Sequence, residues 1–446
     1  MGNIFSDIWQ MPDLRGRVLF TLSMIGVYRL GVFIPSPGID RSVLGEWFHQ
    51  QSGSLFGLYD MFSGGALEQF SVFVLGIMPY ISASIVMQMG AEFVPTLKRI
   101  KDEGQSGRAK ITQYTRYLTI LIAGGQALSM AWTMEQMQVG SSPVVIAAGW
   151  PFRLMTMITF TAGSCFVMWL GEQITERGVG NGSSIIISSG IIARVPVGLL
   201  QLFQLVNLGE INLLQVTMLG VFMFGVVTAI VFIERGQRRV PLQYAKRVTG
   251  RNLFPGASTY LPLKMNTSGV IPPIFASSVL MFPATAGQFS DSRPVMFLVG
   301  AFAPGAWLYN VTYVVLIFVF AYFYTAITFN ADDVADTLKK QGGYIPKVRP
   351  GKDTAAYIDW ILNRLTAAGA AYLAAVCILP SILVTSFNVP FAFGGTGLLI
   401  LVGVTLDTVA QIEAQLNTRH YDGVVGPGAT RLRRRQPIGG AGSSGF

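Results

Sequence analysis

Residues 61–89 read MFSGGALEQFSVFVLGIMPYISASIVMQM, and the fold turns on how this stretch is divided. A run of full membrane length begins near Phe70, and a shorter apolar run, Leu55–Met61, precedes it. Between them stand Gly64 and Gly65, which free the backbone in angle and continue a helix poorly. A fragment of ~12 residues reaches only ~18 Å as a helix, too little to cross a bilayer. Leu55–Ala66 therefore reads as a re-entrant piece that protein must surround, since hydrocarbon cannot satisfy the backbone at its ends.

The remainder places the chain in a membrane. Of its 446 residues 51% are hydrophobic and only 12% charged, the composition of an integral membrane protein. Apolar stretches of about 20 residues, the length that crosses ~30 Å of hydrocarbon, recur throughout. Ten spans are expected: 17–35, 70–90, 114–134, 152–171, 184–203, 211–233, 268–286, 304–328, 366–387 and 391–414. The polar residues ahead of the first span, and its lack of a small-residue cleavage site, make it a retained helix and not a signal peptide. Cys165 and Cys377 lie deep in spans, and with His49 and His420 they offer no metal-ligand spacing. No disulfide, metal site or cofactor is expected.

Most of the 32 Lys and Arg residues fall on one face, in 95–110 (PTLKRIKDEGQSGRAK), 234–251 (ERGQRRVPLQYAKRVTGR), 338–352 (LKKQGGYIPKVRPGK) and the tail RLRRR. Arg41, Arg153, Arg194 and Arg293 fall at the other face, and Arg29 within a span. The positive-inside rule then puts both termini in the cytoplasm. An odd number of spans on each side of the midpoint means that the second half enters the membrane in the opposite sense. That is the arrangement of an inverted repeat, with function placed between the halves; helices without internal symmetry are the alternative. The expected organisation is an N-terminal half 1–206, a C-terminal half 207–416 and a basic cytoplasmic tail 417–446.

Loops 234–265 and 329–365 are far longer than connectors need. In the second, ADDVADTLKKQGG reads as a short helix with a glycine stop, acidic early and basic late as the helix dipole prefers. A solvated lid is the plain account of such loops, and topology needs a few of the charges. Their excess of basic residues suits docking to something acidic, such as ribosomal RNA or an acidic protein surface.

The middle of the membrane is nearly free of charge. Glu92, Glu172, Glu234, Asp407 and Glu413 lie at or near cytoplasmic ends, and Arg29 and Arg194 lie towards outer ends, where long side chains can snorkel. An ion-coupled transporter needs a titratable or anionic site at mid-depth, so an inverted-repeat secondary transporter is the weaker alternative. No nucleophile–base pair, phosphate loop or metal cluster marks an enzyme. What the middle does hold is isoleucine: Ile81 and Ile85, Ile187 and Ile191, Ile274, and Ile400 stand at similar depth in the second, fifth, seventh and tenth spans. Such faces either meet lipid and neighbouring helices or converge into an apolar constriction that ions cross poorly. Gln88, Gln126 and Asn310 either glue helices together or line a seam that opens.

Several long strings carry a more specific signal. MFSGGA with GIMPYISASI, then DEGQSGRAKITQYTRYLT, GEQITERGVGNGSSIII, IERGQRRVPLQYAKR, LPLKMNTSGVIPPIFASS, YTAITFNADDVADTLKKQGGYIPKVRPG and VPFAFGGTGLLI closely resemble the bacterial SecY family, the channel-forming subunits of the Sec translocase. The resemblance runs in order from about Arg17 to about Leu416; the tail after Tyr421 has no counterpart in it. It implies two five-helix halves in an inverted pseudo-symmetric clam shell around a central pore. The isoleucines above match the family's pore ring. Leu55–Ala66, with Leu55, Phe56, Tyr59, Met61, Phe62 and Ser63, matches its plug, and Gly64 and Gly65 the plug's hinge. The second and third spans face the seventh and eighth across a lateral gate, where Ser278 and Phe282 match gating positions beside Gln88, Gln126 and Asn310.

The resemblance also gives the loops a task, docking the ribosome or the motor ATPase SecA. Arg238, Arg239, Lys246, Arg247 and Arg251 form the first loop's basic set, and Lys347 and Arg349 lie in the second. Arg349 matches the arginine most closely tied to the motor; after Arg251 this chain has Asn252 where some relatives carry a second arginine. The implied function is a passive protein-conducting channel of the bacterial inner membrane. It would pass unfolded secretory chains, release signal and membrane segments sideways into lipid, and work with SecE and SecG subunits.

Overall fold

The computed structural model describes residues 11–40, 43–45, 63–139, 142–209, 212–244, 247–249, 252–254, 258–286, 300–301, 306–387 and 395–425. Their backbone is mostly helical: α1 Pro12–Val32, α2 Met78–Phe93, α3 Pro95–Asp102, α4 Gln105–Gln136, α5 Trp150–Arg177, α6 Gly182–Asn207, α7 Leu213–Glu234, α8 Ile271–Ala286, α9 Trp307–Thr328, α10 Ala331–Lys340, α11 Lys352–Phe387 and α12 Gly395–Val425. Every expected span contains one of these helices; α3 and α10 are the two that lie outside. Six of them are long and apolar enough to cross a membrane by length and composition.

Local chemistry sets the boundaries. Pro12, Pro79, Pro95 and Pro151 stand in first turns, where the missing N–H costs nothing and φ is already helical. Val94, held extended by the following proline, separates α2 from α3. The side chain of Asn181 accepts from the Ser183 amide at the start of α6, and Asn212 with Gln215 forms a capping box on α7.

The second span departs from expectation. A helix from Phe70 was expected, but the chain makes successive turns up to Ile77, and α2 begins only at Met78. The apolar residues of this stretch answer to protein and not to lipid: Leu67, Phe70, Val74, Leu75 and Ile77 are all buried. Its backbone is satisfied from elsewhere, as non-helical chain at membrane depth must be. The Ser36 amide donates to the Phe70 carbonyl at 2.8 Å, the Val72 amide to the Ile34 carbonyl at 3.0 Å, and the Ser164 hydroxyl to the Gly76 carbonyl at 3.2 Å. Positive φ at Phe70 (45°) and Gly76 (54°) turns the chain back into helix.

The two long loops, expected separately, form one body. Beyond a short antiparallel pair of β1 (Gln138–Val139) with β2 (Ser142–Pro143), strands β3 (Gln237–Tyr244) and β6 (Ser258–Lys264) pair antiparallel from Gln237 opposite Lys264 to Gln243 opposite Ser258. From the second loop β7 (Gly343–Tyr344) joins the other edge of β3, giving the order β6-β3-β7. Val240, Leu242 and Leu263 of the sheet pack with Leu338 of α10, Ile345, and Ile358, Ile361 and Leu362 of α11 in a separate apolar core. The short helix forms as expected, with Asn330 capping its start and Gly342, at φ 74°, just past its end. α11, however, begins at Lys352, well ahead of residue 366, and enters its span without a break.

Packing repeats between the halves. In the first, α2 packs on α4, α4 on α5, α5 on α6, and α1 on α6; in the second, α8 packs on α9, α9 on α11, α11 on α12, and α7 on α12. The halves meet where corresponding helices touch, α2 with α8 and α6 with α12. Gly163 of α5 is a tight point, since a Cβ there would lie 2.0 Å from the Val72 carbonyl oxygen. Gly163→Ala should cost about 1–3 kcal/mol through overpacking, read as a lowered melting temperature of the detergent-solubilised protein. An unchanged melt would mean that α5 does not press on the turn segment.

Candidate functional site

The isoleucines come together. Ile81 and Ile85 on α2, Ile187 and Ile191 on α6, Ile274 on α8 and Ile400 on α12 all belong to one continuous apolar cluster, each no more than 7% exposed. Lipid-facing residues would be exposed in an isolated chain, as Ile192 is at 51%, so these six face protein. Among the described residues, their helices make the most extensive contacts between the two halves.

On one side the cluster is open to a cleft of about 380 Å³. Ile81, Ile187 and Ile274 form its apolar wall, while Tyr80, Ser84 and Gln88 continue up the same face of α2. The opposite wall is charged. Arg116 of α4 grips Glu172 of α5 through two hydrogen bonds of 2.9 Å, and Glu176 lies one turn on. The cleft therefore sets polar and charged side chains beside an apolar wall that includes the isoleucines, Ile271 and Phe275. Gln88 donates to the Ser84 hydroxyl at 3.0 Å. Ser277 and Ser278 both donate to the Ile274 carbonyl at 2.9 Å, so each serine is satisfied within α8. Gln126 on α4 and Asn310 on α9 are half-buried but do not line the cleft. Phe282 falls in α8, with its side chain outside the described residues.

Beside the isoleucine-bearing turn of α6 lies the glycine turn. Leu55, Phe56, Tyr59, Met61 and Phe62 are outside the described residues; Ser63, Gly64 and Gly65 are within them. Gly64 and Gly65 have φ of 69° and 94°, angles that favour glycine. The Tyr28 hydroxyl donates to the Ser63 carbonyl at 3.1 Å and Arg29 Nη1 to the Gly64 carbonyl at 2.9 Å. Arg29 Nη2 donates to the Ser189 carbonyl at 3.2 Å, and Arg194 Nη1 is 3.0 Å from Glu68 Oε2. Snorkelling was expected of both arginines; instead they turn inward, because the exposed carbonyls of a non-helical turn and a nearby carboxylate solvate them better than the membrane edge does. An arginine inside an apolar span is the signal that marks them, and Tyr28 and Glu68 carry none in hydropathy.

Of the residues expected to dock partners, Arg238 and Arg239 on β3 and Lys347 and Arg349 beyond β7 are exposed on the loop body. The Arg239 guanidinium lies 4.8 Å from the centre of the Tyr260 ring. Arg247 falls in β4 (Arg247–Thr249), paired with β5 (Asn252–Phe254), its side chain outside the described residues, as are Lys246 and Arg251. Among the described residues no three His, Cys, Asp or Glu side chains gather as a metal site.

Comparison with known proteins bears on this arrangement. Residues 71–409 match the SecY family model. The chain is similar to proteins named protein translocase subunit SecY: 46% identical over 419 residues to that of Pseudomonas aeruginosa and 44% over 422 residues to that of Vibrio cholerae, in each case across 93% of this chain and 94% of the relative. The Escherichia coli K12 protein of that name is 44% identical over 416 residues, 92% of this chain and 94% of the relative. Among solved structures, one described as a protein conducting channel superposes with TM-score 0.65 at 15% identity, over 93% of this chain and 95% of the other. Sec61 in a canine ribosome-channel complex gives 0.60 at 14% identity, with the same coverage. The chain belongs to the SecY family.

With Cys165 and Cys377 replaced by alanine, Ser84→Cys should react readily with a membrane-impermeant thiol reagent added from the side of the basic loops. Ile191→Cys should stay protected in the resting protein. Equal labelling of the two would show that the isoleucine cluster does not close the cleft.

Proposed function

We propose that this chain is the protein-conducting channel of a multi-pass membrane translocase. One observation carries the reading: a cleft that sets polar and charged side chains beside an apolar wall ends on isoleucines contributed by both halves of the molecule. A polar wall suits an unfolded chain, whose backbone needs hydrogen-bonding surroundings until it commits to crossing. An apolar constriction suits the crossing point, since aliphatic side chains close around any sequence without binding it, whereas a charged ring would hold ions and oppositely charged residues. The transporter alternative has no support in the comparisons. The channel itself performs no chemistry in this reading, so the driving energy comes from partners.

The finer assignments follow the family resemblance. Ile81, Ile85, Ile187, Ile191, Ile274 and Ile400 act as the pore ring, and Leu55–Ala66 acts as a plug hinged at Gly64 and Gly65. The halves 1–206 and 207–416 part between α2 and α8, with Gln88, Ser278 and Phe282 along the gate and Gln126 and Asn310 behind it on α4 and α9. Apolar signal segments leave through that seam, gaining about 0.3–0.6 kcal/mol per large apolar residue on the insertion scale. Arg238, Arg239, Lys347 and Arg349, with Lys246, Arg247 and Arg251, offer a basic docking face. The ribosome is the first partner assigned to it: relatives of this fold include Sec61 in a ribosome-channel complex and a yeast Ssh1 complex bound to the 80S ribosome. SecA is the alternating occupant, SecE and SecG the companion subunits, and the bacterial inner membrane, with both termini cytoplasmic, the location.

A stalled secretory chain should cross-link to photoreactive side chains at both Ile85 and Ile274; contact at neither would remove the channel reading. Arg349→Glu should abolish motor-driven translocation while leaving ion leak unchanged, as measured in proteoliposomes with purified SecA. Full motor-driven transport in that variant would take Arg349 out of the docking face.

A further inference from the structure

Arg29 does more than cap the glycine turn. Its two terminal nitrogens donate to carbonyls on different elements, Gly64 at 2.9 Å and Ser189 at 3.2 Å. Ser189 stands on α6 between Ile187 and Ile191, both buried in the isoleucine cluster. The turn and the helix are in direct contact at this point, because a Cβ on Gly64 would lie 2.7 Å from the Gly190 Cα and 2.9 Å from Arg29 Nη1. On the other side of the turn, the Arg194 guanidinium lies against Gly65 and pairs with Glu68. A helical carbonyl keeps a second lone pair after its own ladder bond, so Ser189 can accept from Arg29 without breaking α6.

We propose that Arg29 is a positioning residue for the isoleucine ring, tying the glycine turn to the α6 turn that carries Ile187 and Ile191. Its functional consequence rests on the reading of the isoleucines as the seal. A guanidinium is a planar fork whose donors have fixed spacing, and both of its bonds here are charge-assisted. Outward movement of α6 stretches the Ser189 bond while Gly64 stays with α1, so ring and turn must move together or the fork must let go. Lysine does this less well, since its three donors share one nitrogen and lack the separated nitrogens with which Arg29 spans the two carbonyls.

The test is ion conductance across planar bilayers containing the purified complex, run on Arg29→Gln, Arg29→Lys, Gly64→Ala, the double variant Arg29→Gln/Gly64→Ala, and Ile85→Asn as a direct lesion of the seal. Resting leak should rise several-fold in Arg29→Gln and to a lesser degree in Arg29→Lys. Gly64→Ala should leak as well, and the double variant should leak no more than the worse of its parents, because both lesions cut one connection. A purely structural arginine would give additive leaks, or a loss of folded protein with no leak in what remains. If Arg29→Gln fails to accumulate, Arg29→Lys decides: a leak supports the clamp and a tight seal overturns it. Tight seals in both Arg29 variants, with Ile85→Asn leaking, overturn the clamp alone. A tight seal in Ile85→Asn overturns the ring reading on which the clamp's role depends.

Discussion

A path wide enough for a polypeptide has to close on side chains that hold one another weakly and in no fixed direction. Buried isoleucines from α2, α6, α8 and α12 meet that requirement. Each atom pair contributes only ~0.1–0.2 kcal/mol of dispersion, and the total is large only while the whole surface is in register. Within a membrane, the lipid that replaces a neighbour is about as apolar as the neighbour itself. Opening such a seal therefore costs little beyond packing, and closing it needs no partner to be found again. Charged or hydrogen-bonded closure would specify one geometry and would penalise every other.

That softness shifts the burden of positioning to polar contacts around the proposed seal, and these are unevenly placed. Where α6 meets α12, the Gly180 amide also donates to Gln411 of α12 at 3.0 Å. At the other meeting place, Ser277 and Ser278 turn back onto the Ile274 carbonyl of α8, and Gln88 turns onto Ser84 of α2. Separating α2 from α8 thus leaves these groups satisfied within their own helices. Among these groups the proposed seam can part without breaking a hydrogen bond, while the Gly180–Gln411 bond ties the α6–α12 side together.

Composition, charge placement and apolar length made the helical, polytopic character legible, and Asn330 with Gly342 marked α10 because helix caps are local chemistry. The isoleucines were legible as a spacing, and only burial separates packing on protein from packing on lipid. Residues 67–77 misled for that same reason: a window of Phe, Val, Leu and Ile has one hydropathy whether lipid or protein surrounds it. The loop body was hidden by distance along the chain, since β3 pairs Gln243 with Tyr344. Pro241 in its middle further weakens the strand pattern. Arg29 and Arg194 read as snorkelling cations, because an arginine carries no record of which inward partner it will find.

The loop body also offers a route by which the proposed docking would bear on the proposed seal. One end of it runs directly into α11, a helix unbroken from Lys352 to Phe387 that packs on α9 and α12. Its other end, β6, reaches α8 within a few residues. There Asn266 donates to Glu234 of α7 at 2.7 Å and to the Gly269 carbonyl at 3.0 Å, while Lys264 lies 3.8 Å from Asp407 of α12. A flexible tether at either end would dissipate a partner's push as loop motion. A short, hydrogen-bonded connector between a packed sheet and α8 leaves little slack to absorb it. Displacement of the body must then appear at α8, which carries Ile274, or in the bonds around Asn266.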